Sequence, residues 1–444
     1  MKHNNTLNYT EKCRFYSSLQ QLFLPTADDD LTPPPQAAAA GELLSALPIE
    51  GYSIAVFREA GSLPSDWGRL LPEGNLVLSQ AYLQLFEQHS PENMGFAYLM
   101  LYKGHQVAGL AVCQLMDFNA MRQIQSLSRA ASGTLLNRGF HMLKREVARR
   151  INARLIVCGL TQFSGEFAYV FDEQMVSSGL QPRLLAAGIG HLSRLLEEEG
   201  WKPSGVLAKD FYAERLPQLQ PLSAEGYTPF AFQPNMLMDI REDWHTMDDY
   251  LNAMSSKYRI RARRAFKKCK PIRCEELDAE GVHRHLEAMH ELYLEVSSQA
   301  DFNLLELPAS YFLALKQAFP GQFRVLAYFH EERLVGFCTA LRNGNELEAH
   351  FIGFRQHENR EYQLYLNMLY DMVRLAIEEE RAERLIFSRT AMEIKSSVGA
   401  EPKDMYCYIR HFSPYANRFA PLLVQQLQPD SAWQQRHPFS QQED

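Results

Sequence analysis

Two stretches far apart in the chain are written in the same grammar, and this constrains the fold more than any other feature. Phe96–Leu115 (FAYLMLYKGHQVAGLAVCQL) and Phe323–Arg342 (FRVLAYFHEERLVGFCTALR) each read as an apolar β run, a short polar turn, V-A-G or L-V-G, and a second β run. Each predicts a β-hairpin. Downstream of each comes a helical pattern, Leu135–Arg150 or Tyr365–Glu380, and then a short strand, ARLIVCGL or ERLIFSRT. An order of hairpin, helix and strand given twice predicts two copies of one mixed α/β domain.

The regions around the repeat set the boundaries. Residues 1–46 hold an acidic run, three successive prolines and an alanine tract, and the glutamine-rich end covers 425–444; both read as flexible tails without chemistry. Between them we expect a first domain at 47–244, a connecting basic helix at 245–275 and a second domain at 276–424. The first domain continues through a helix at Leu184–Gly200 and closes on a strand at Asn235–Ile240. Thr246, with Asp249 three residues on, predicts a capping box that opens a helix running to Lys270, where Pro271 stops it.

Composition excludes several classes. In 444 residues, 46% are hydrophobic and 22% charged, as in ordinary globular proteins, so a disordered, collagenous or coiled-coil chain is disfavoured. A formal charge of −8 does not mark a DNA binder, so any basic site is local. The seven cysteines form no C-x-x-C pair, which predicts reduced thiols. The polar N-terminus and the absence of a long apolar run point to the cytoplasm. The histidines show no H-E-x-x-H or other metal spacing, so no metal is expected, and no G-x-S-x-G or Cys-His nucleophile motif occurs.

The seam between the repeats, with Ser255-Ser256-Lys257-Tyr258-Arg259 followed by Arg263-Arg264, and the later stretch Ser388–Pro402 (SRTAMEIKSSVGAEP), resemble motifs of the tandem GNAT-like acyltransferases. Within these, the group that includes the peptidoglycan-bridge (FemAB-like) aminoacyltransferases is the most similar, and the resemblance covers about Ile49 to Pro414. It implies an α/β (α+β) protein of two tandem GNAT-like domains, each a twisted mixed β-sheet flanked by helices. It also implies transfer of an acyl group to an amine, with acyl-CoA as co-substrate. One departure stands out. GNAT enzymes that use acyl-CoA seat its pyrophosphate on a glycine-rich helix N-terminus, but here Arg355–Tyr365 has no glycine after Gly353. The turn Ala131-Ser132-Gly133-Thr134 in the first half is the alternative cradle, with Ser132, Gly133 and Thr134 as its cofactor-binding residues.

Candidate residues gather in the second half. On the strand Gly344–Phe354, period-2 alternation puts Glu346, Glu348 and His350 on one face. His350 or Glu348 there can serve as general base toward an attacking amine; the competing reading is a solvated strand face with cross-strand ion pairs. The resemblance places Arg389 and Lys395 beside the same cleft, as ligands for a carboxylate, phosphate or oxyanion. Tyr406 and Tyr408, sharing a face with Asp404, are candidates to protonate a leaving thiolate, or are core aromatics. Between Ser255 and Cys274 the chain carries many cations, Lys257, Arg261 and Arg264 among them, and no intervening acid before Glu275. Tyr258, Ala262, Ala265, Phe266 and Cys269 form its apolar stripe. That helix suits phosphates of CoA or a charged tRNA, or peripheral contact with an anionic inner-membrane face, or simply water. The acceptor is expected to be a small-molecule or peptide amine. The readings that remain open are an acyl-CoA-dependent N-acyltransferase, an aminoacyltransferase using charged tRNA, and a non-catalytic ligand-binding protein.

Overall fold

The computed structural model describes residues 44–119, 152–299, 305–421 and 433–439. Among these residues the strands form two sheets. The first runs, in spatial order, β1 (Ser45–Ala46), β2 (Tyr52–Phe57), β3 (Met94–Lys103), β4 (Gln106–Asn119), β5 (Asn152–Cys158), β7 (Gly205–Tyr212), β16 (Met405–His411) and β8 (Thr228–Ala231), with β6 (Tyr169–Phe171) also paired to β4. The second runs β10 (Ile272–Glu276), β11 (Phe323–His330), β12 (Arg333–Asn343), β13 (Glu346–Phe354), β14 (Arg384–Ser388), β9 (Asn235–Asp239) and β15 (Glu401–Lys403). The helices are α1 (Gln80–Gln88), α2 (Gln181–Glu198), α3 (Leu216–Ala224), α4 (Met247–Ala253), α5 (Ser256–Cys269), α6 (Ala279–Ser297), α7 (Ser310–Ala318), α8 (Gln356–Tyr362), α9 (Leu364–Arg374), α10 (Met392–Ser397) and α11 (Pro414–Asn417).

Both predicted hairpins are present, as β3–β4 and β11–β12, and both sheets are mixed, as a GNAT-like α/β architecture requires. The repeat holds, but its phase differs from the sequence reading. Each sheet contains one parallel pair, β5 with β7 and β13 with β14. A parallel pair needs a long crossover, and these are supplied by α2 in the first half and by α8 and α9 in the second. The counterpart of the helix at 364–374 is therefore α2, not the pattern at Leu135–Arg150, which lies outside the described residues.

The predicted domain limits are crossed twice. Strand β9, expected to close the first domain, pairs with β14 and β15 in the second sheet. Strand β16 of the second half inserts between β7 and β8 of the first sheet. Each half thus supplies a strand to the other sheet, β9 between β14 and β15 and β16 between β7 and β8.

The expected single connecting helix is two. The Thr246–Asp249 capping box is present, but α4 ends at Ala253, and Met254 and Ser255 take extended backbone before α5. The break is held by the C-terminal segment, since the Pro438 carbonyl accepts from the Ser255 N–H at 2.8 Å. Phe439 packs on Trp244 (5.2 Å) and Tyr250 (5.8 Å). Gly399, at φ +103, lies so close to the Phe439 ring that a Cβ would meet it at 2.4 Å. Residues 433–439 are therefore structural, contrary to the expectation of a tail through to 444. Pro271 follows α5 as foreseen, and Cys274 lies on β10, beyond the helix.

Among the described residues, three large apolar clusters hold the molecule, beside a small one at Phe230 and Cys407. One belongs mainly to the first sheet and one to the second. The third joins the halves, with Trp67, Tyr82 and Phe163 packed in the same cluster as Tyr311, Phe312 and Phe323.

Candidate active site

Strands β13 and β14 pair only from Glu346 to Glu348 and from Arg384 to Ile386. Beyond that point β13 continues along β12 to Phe354, while β14 stays paired with β9 until it ends at Ser388. A wedge opens just past Glu348. Leu347 belongs to the second core, so alternation turns Glu346, Glu348 and His350 to the opposite face, toward the first half. The strand period therefore placed these three side chains on one face correctly. That face is not a solvated ladder, however: only Glu346 follows the ion-pair expectation, bound by Arg384 at 3.1 Å.

Glu348 is buried, and its Oε1 has no hydrogen-bond partner. Burial, with a smaller contribution from Glu346, pushes its carboxyl well above the usual carboxylate range. His350 is stacked on Phe163 of the first half, with ring centroids 4.7 Å apart. Its Nε2 lies 2.8 Å from the Tyr311 hydroxyl, and its Nδ1 is sealed and without a partner. Burial pushes the imidazole down to about 3, so it is neutral at physiological pH. Asn235 on β9 sits near the same level of the sheet, giving its Nδ2 to Ser164 O (3.1 Å) and Tyr212 Oη (3.0 Å) while its Oδ1 is unsatisfied.

Next to the wedge is a buried charge cluster. A bulge in β7 lets two residues oppose one on β16, and Asp210 there has φ +67. Bulges re-aim side chains, and here both Lys209 and Asp210 turn inward. The Lys209 ammonium donates to Leu160 O and Phe163 O, each at 2.8 Å, and to Asp210. It thereby fixes the backbone of the residue that stacks on His350. Asp210 also pairs with Arg389, whose guanidinium lies 4.8 Å from the Phe232 ring centre. Ser388, Thr390 and Ala391 all have positive φ (58°, 66° and 46°). Such non-glycine conformations cost on the order of 1–3 kcal/mol each and need over-determination by the surroundings. Lys395 provides it, donating to Ser388 O (3.3 Å) and Arg389 O from a buried position that pushes its ammonium down to about 7.

Arg389 lies just past β14 and Lys395 on α10; Asp210 holds an Arg389 Nη and backbone carbonyls hold the Lys395 ammonium, while the buried Arg389 Nε has no partner. Tyr406 and Tyr408 fall on the first sheet, on the face opposite Cys407, whose Sγ is 3.7 Å from Asp210. Tyr408 is buried against Phe211, as the core-aromatic reading expects, and Tyr406 shares its face. On α5, Ala262 and Ala265 are buried, while Lys257, Arg261 and Arg264 are exposed and make no ion pair among the described residues. Arg261 lines a surface cavity of about 410 Å³ with Met392, Glu393 and Trp433.

The helix N-terminus after β13 does not fit a CoA pyrophosphate. Glu295 of α6 already places a carboxylate there, accepting from the Gln356 N–H at 3.0 Å and pairing with Arg355 at 3.3 Å. The alternative cradle, Ser132, Gly133 and Thr134, lies outside the described residues. No group of three or more potential metal ligands occurs among the described residues. None of their helices is long and apolar enough to cross a membrane. No local sequence signal marks Phe163, Tyr311 or Asn235; the adjacent Lys209-Asp210 inside an apolar strand was a readable anomaly.

Residues 255–396 match the family model described as Acetyltransferase (GNAT) domain, the family the resemblance implied. No curated protein matches the chain. Solved structures with a similar course of the chain include FemX (12% identity, TM-score 0.46, covering 79% of this chain and 95% of that one). A tandem GNAT protein from the clavulanic acid biosynthesis pathway gives 11%, 0.47, 81% and 99% for the same quantities. L-PGS from Bacillus licheniformis gives 10%, 0.41, 83% and 98%.

Proposed function

We propose that the protein is an N-acyltransferase that works in the wedge of the second sheet. The amine of the acceptor attacks the acyl carbonyl of a bound ester or thioester, forming the C–N bond. Glu348 takes the amine proton, the carbonyl electrons pass to its oxygen, and on collapse the C–O or C–S bond breaks, the leaving group departing with the proton from Glu348. No covalent enzyme intermediate is needed, since positioning and base assistance suffice. The observation that carries this reading is a buried, unpartnered carboxylate at the point where the parallel strands of a GNAT domain separate. A raised pKa makes Glu348 a stronger base once it is ionised. Lys209, Asp210, Arg389 and Lys395 act here as positioning residues that hold the walls.

For the donor, the GNAT match supports acyl-CoA, and two observations favour a second reading. Glu295 occupies the helix N-terminus where a CoA pyrophosphate would sit, and Lys257, Arg261 and Arg264 of α5 make no ion pair among the described residues. Both features suit a charged tRNA as donor, with α5 meeting its phosphates. A thermal-shift series against acetyl-CoA, longer acyl-CoAs and free CoA separates the two. A ligand at a hundred times its dissociation constant stabilises by about 2.7 kcal/mol. A shift that varies with acyl chain supports CoA; no shift with any CoA species removes it. Turnover lost in Glu348→Gln supports the base, and stabilisation by a donor with no transfer to any amine would leave a binding protein instead.

A further inference from the structure

A hydrogen-bond chain crosses from the first half to His350, and its direction is set at one end. The Thr161 backbone N–H, which can only donate, gives its proton to Gln114 Oε1 at 2.8 Å. That fixes the Gln114 amide, whose Nε2 donates to Gln162 Oε1 at 3.0 Å. Gln162 Nε2 in turn donates to the Tyr82 hydroxyl at 3.3 Å. Tyr82 Oη and Tyr311 Oη are 2.8 Å apart, and Tyr311 Oη is 2.8 Å from His350 Nε2. Gln114, Gln162, Tyr82 and Tyr311 are all buried, so a hydroxyl hydrogen pointing nowhere costs about 1–3 kcal/mol. Tyr82 accepts from Gln162, so if the hydrogens run on from Tyr82 to Tyr311 and from Tyr311 to His350 Nε2, the Nδ1–H is the one group of the chain left without a partner; the reverse direction, from His350 Nε2–H to Tyr311 to Tyr82, orphans both the Tyr82 hydrogen and the Nδ1 lone pair, and so is the costlier.

We infer that this chain locks His350 as the neutral tautomer protonated on Nδ1, making it a hydrogen-bond donor to the acyl carbonyl oxygen and not a general base. The inference rests on the acyl-transfer reading for the identity of the acceptor atom, but the tautomer itself does not. A neutral imidazole whose Nε2 accepts must carry its hydrogen on Nδ1. That N–H is sealed from solvent and has no protein partner. It shares its strand face with Glu348, two residues away, so the proton acceptor and the carbonyl donor lie on one buried face just where the β13–β14 ladder ends. A preorganised donor of this kind stabilises the oxygen as negative charge develops on it. Tyr311 is then a positioning residue, acting through His350, and Tyr82, Gln162 and Gln114 extend that role into the first half.

The test is nitrogen NMR on ligand-free, full-length protein labelled with ¹⁵N-histidine, with His350→Gln and His350→Asn as alternative variants for assignment. At neutral pH the His350 Nδ1 should give a protonated, pyrrole-like signal and Nε2 an unprotonated, pyridine-like one. In Tyr311→Phe the tautomer should shift toward Nε2–H or become mixed, while the other histidine signals stay in place. A protonated Nε2 in the wild type, or an unchanged tautomer in Tyr311→Phe, overturns the inference. Because no substrate is present, this outcome is independent of whether acyl transfer is the reaction.

Discussion

Replacing His350 with glutamine should remove a specific pH dependence of stability, whose size follows from the enclosure of the ring. In the unfolded chain an imidazole binds a proton below about 6.5. In the folded protein burial delays this to about 3. Between those values the unfolded state holds more protons, so stability is fully present above about pH 6.5 and falls as the pH drops toward 3. At one pH unit per about 1.4 kcal/mol, the loss reaches about 2 kcal/mol at pH 5. The glutamine of the variant would have no proton to bind, and every other titrating group is common to the two proteins. Urea unfolding of both at pH 7.5 and pH 5.0 should show the wild type losing up to about 2 kcal/mol more than the variant. The fixed cost of the substitution appears equally at both values and cancels. Parallel losses would refute the reasoning, showing that His350 takes up its proton in the folded state as readily as in the unfolded one.

Other perturbations separate base, scaffold and surface. Glu348→Gln should lower kcat by roughly 10²–10⁴-fold and abolish the acidic limb of the pH–rate profile, which in the wild type lies above the ordinary carboxylate range. The same change should also stabilise the fold at alkaline pH relative to the wild type, because a carboxyl with a raised folded pKa loses stability as pH climbs through it. Asp210→Asn leaves Arg389 and Lys209 as uncompensated buried cations and should cost about 3–5 kcal/mol in urea unfolding. Lys395→Met should cost about 1–3 kcal/mol by orphaning the Ser388 and Arg389 carbonyls, and should speed amide exchange at 388–391. The triple change of Lys257, Arg261 and Arg264 to alanine should leave stability within about 0.5 kcal/mol, since these residues are exposed and make no ion pair among the described residues, yet flatten the salt dependence of binding to a polyanionic substrate.

What could be read from the sequence was whatever local periodicity writes down. The β3–β4 and β11–β12 hairpins follow from apolar alternation around a polar turn, and the common face of Glu346, Glu348 and His350 follows from the period of a strand. The capping box at Thr246 is a four-residue signal, and the buried stripe of α5 is a helical one. The features that escaped are those decided by distant partners. Nothing near Asn235 says that β9 will abandon the half it closes, because an exposed ladder is a property of the assembled second sheet. The end of the helix at Ala253 depends on a carbonyl from Pro438, far along the chain. Arg389 looked like a free anion ligand because its partner, Asp210, is reached only through a bulge in the other half. Likewise the role of His350 is set by Tyr311, Tyr82, Gln162 and Gln114, which no spacing rule connects.

The exchange of β9 and β16 also dictates when the protein can fold during its own synthesis. The edge strand β8 of the first sheet is complete at Ala231, but it pairs with β16, which is not made until His411. At about 5–20 residues per second, the ribosome leaves the first sheet one strand short for roughly 10–35 s. During that interval the open ladders of β7 and β8 face the same nascent chain, and β9, made next, is the nearest strand able to fill the gap. Faithful folding therefore requires β9 to wait for β14, so the order of emergence opposes the final pairing. A cell making this protein would gain from a holding chaperone or from fast translation between the two halves, and a fragment cut at the boundary of the GNAT match would carry the problem permanently.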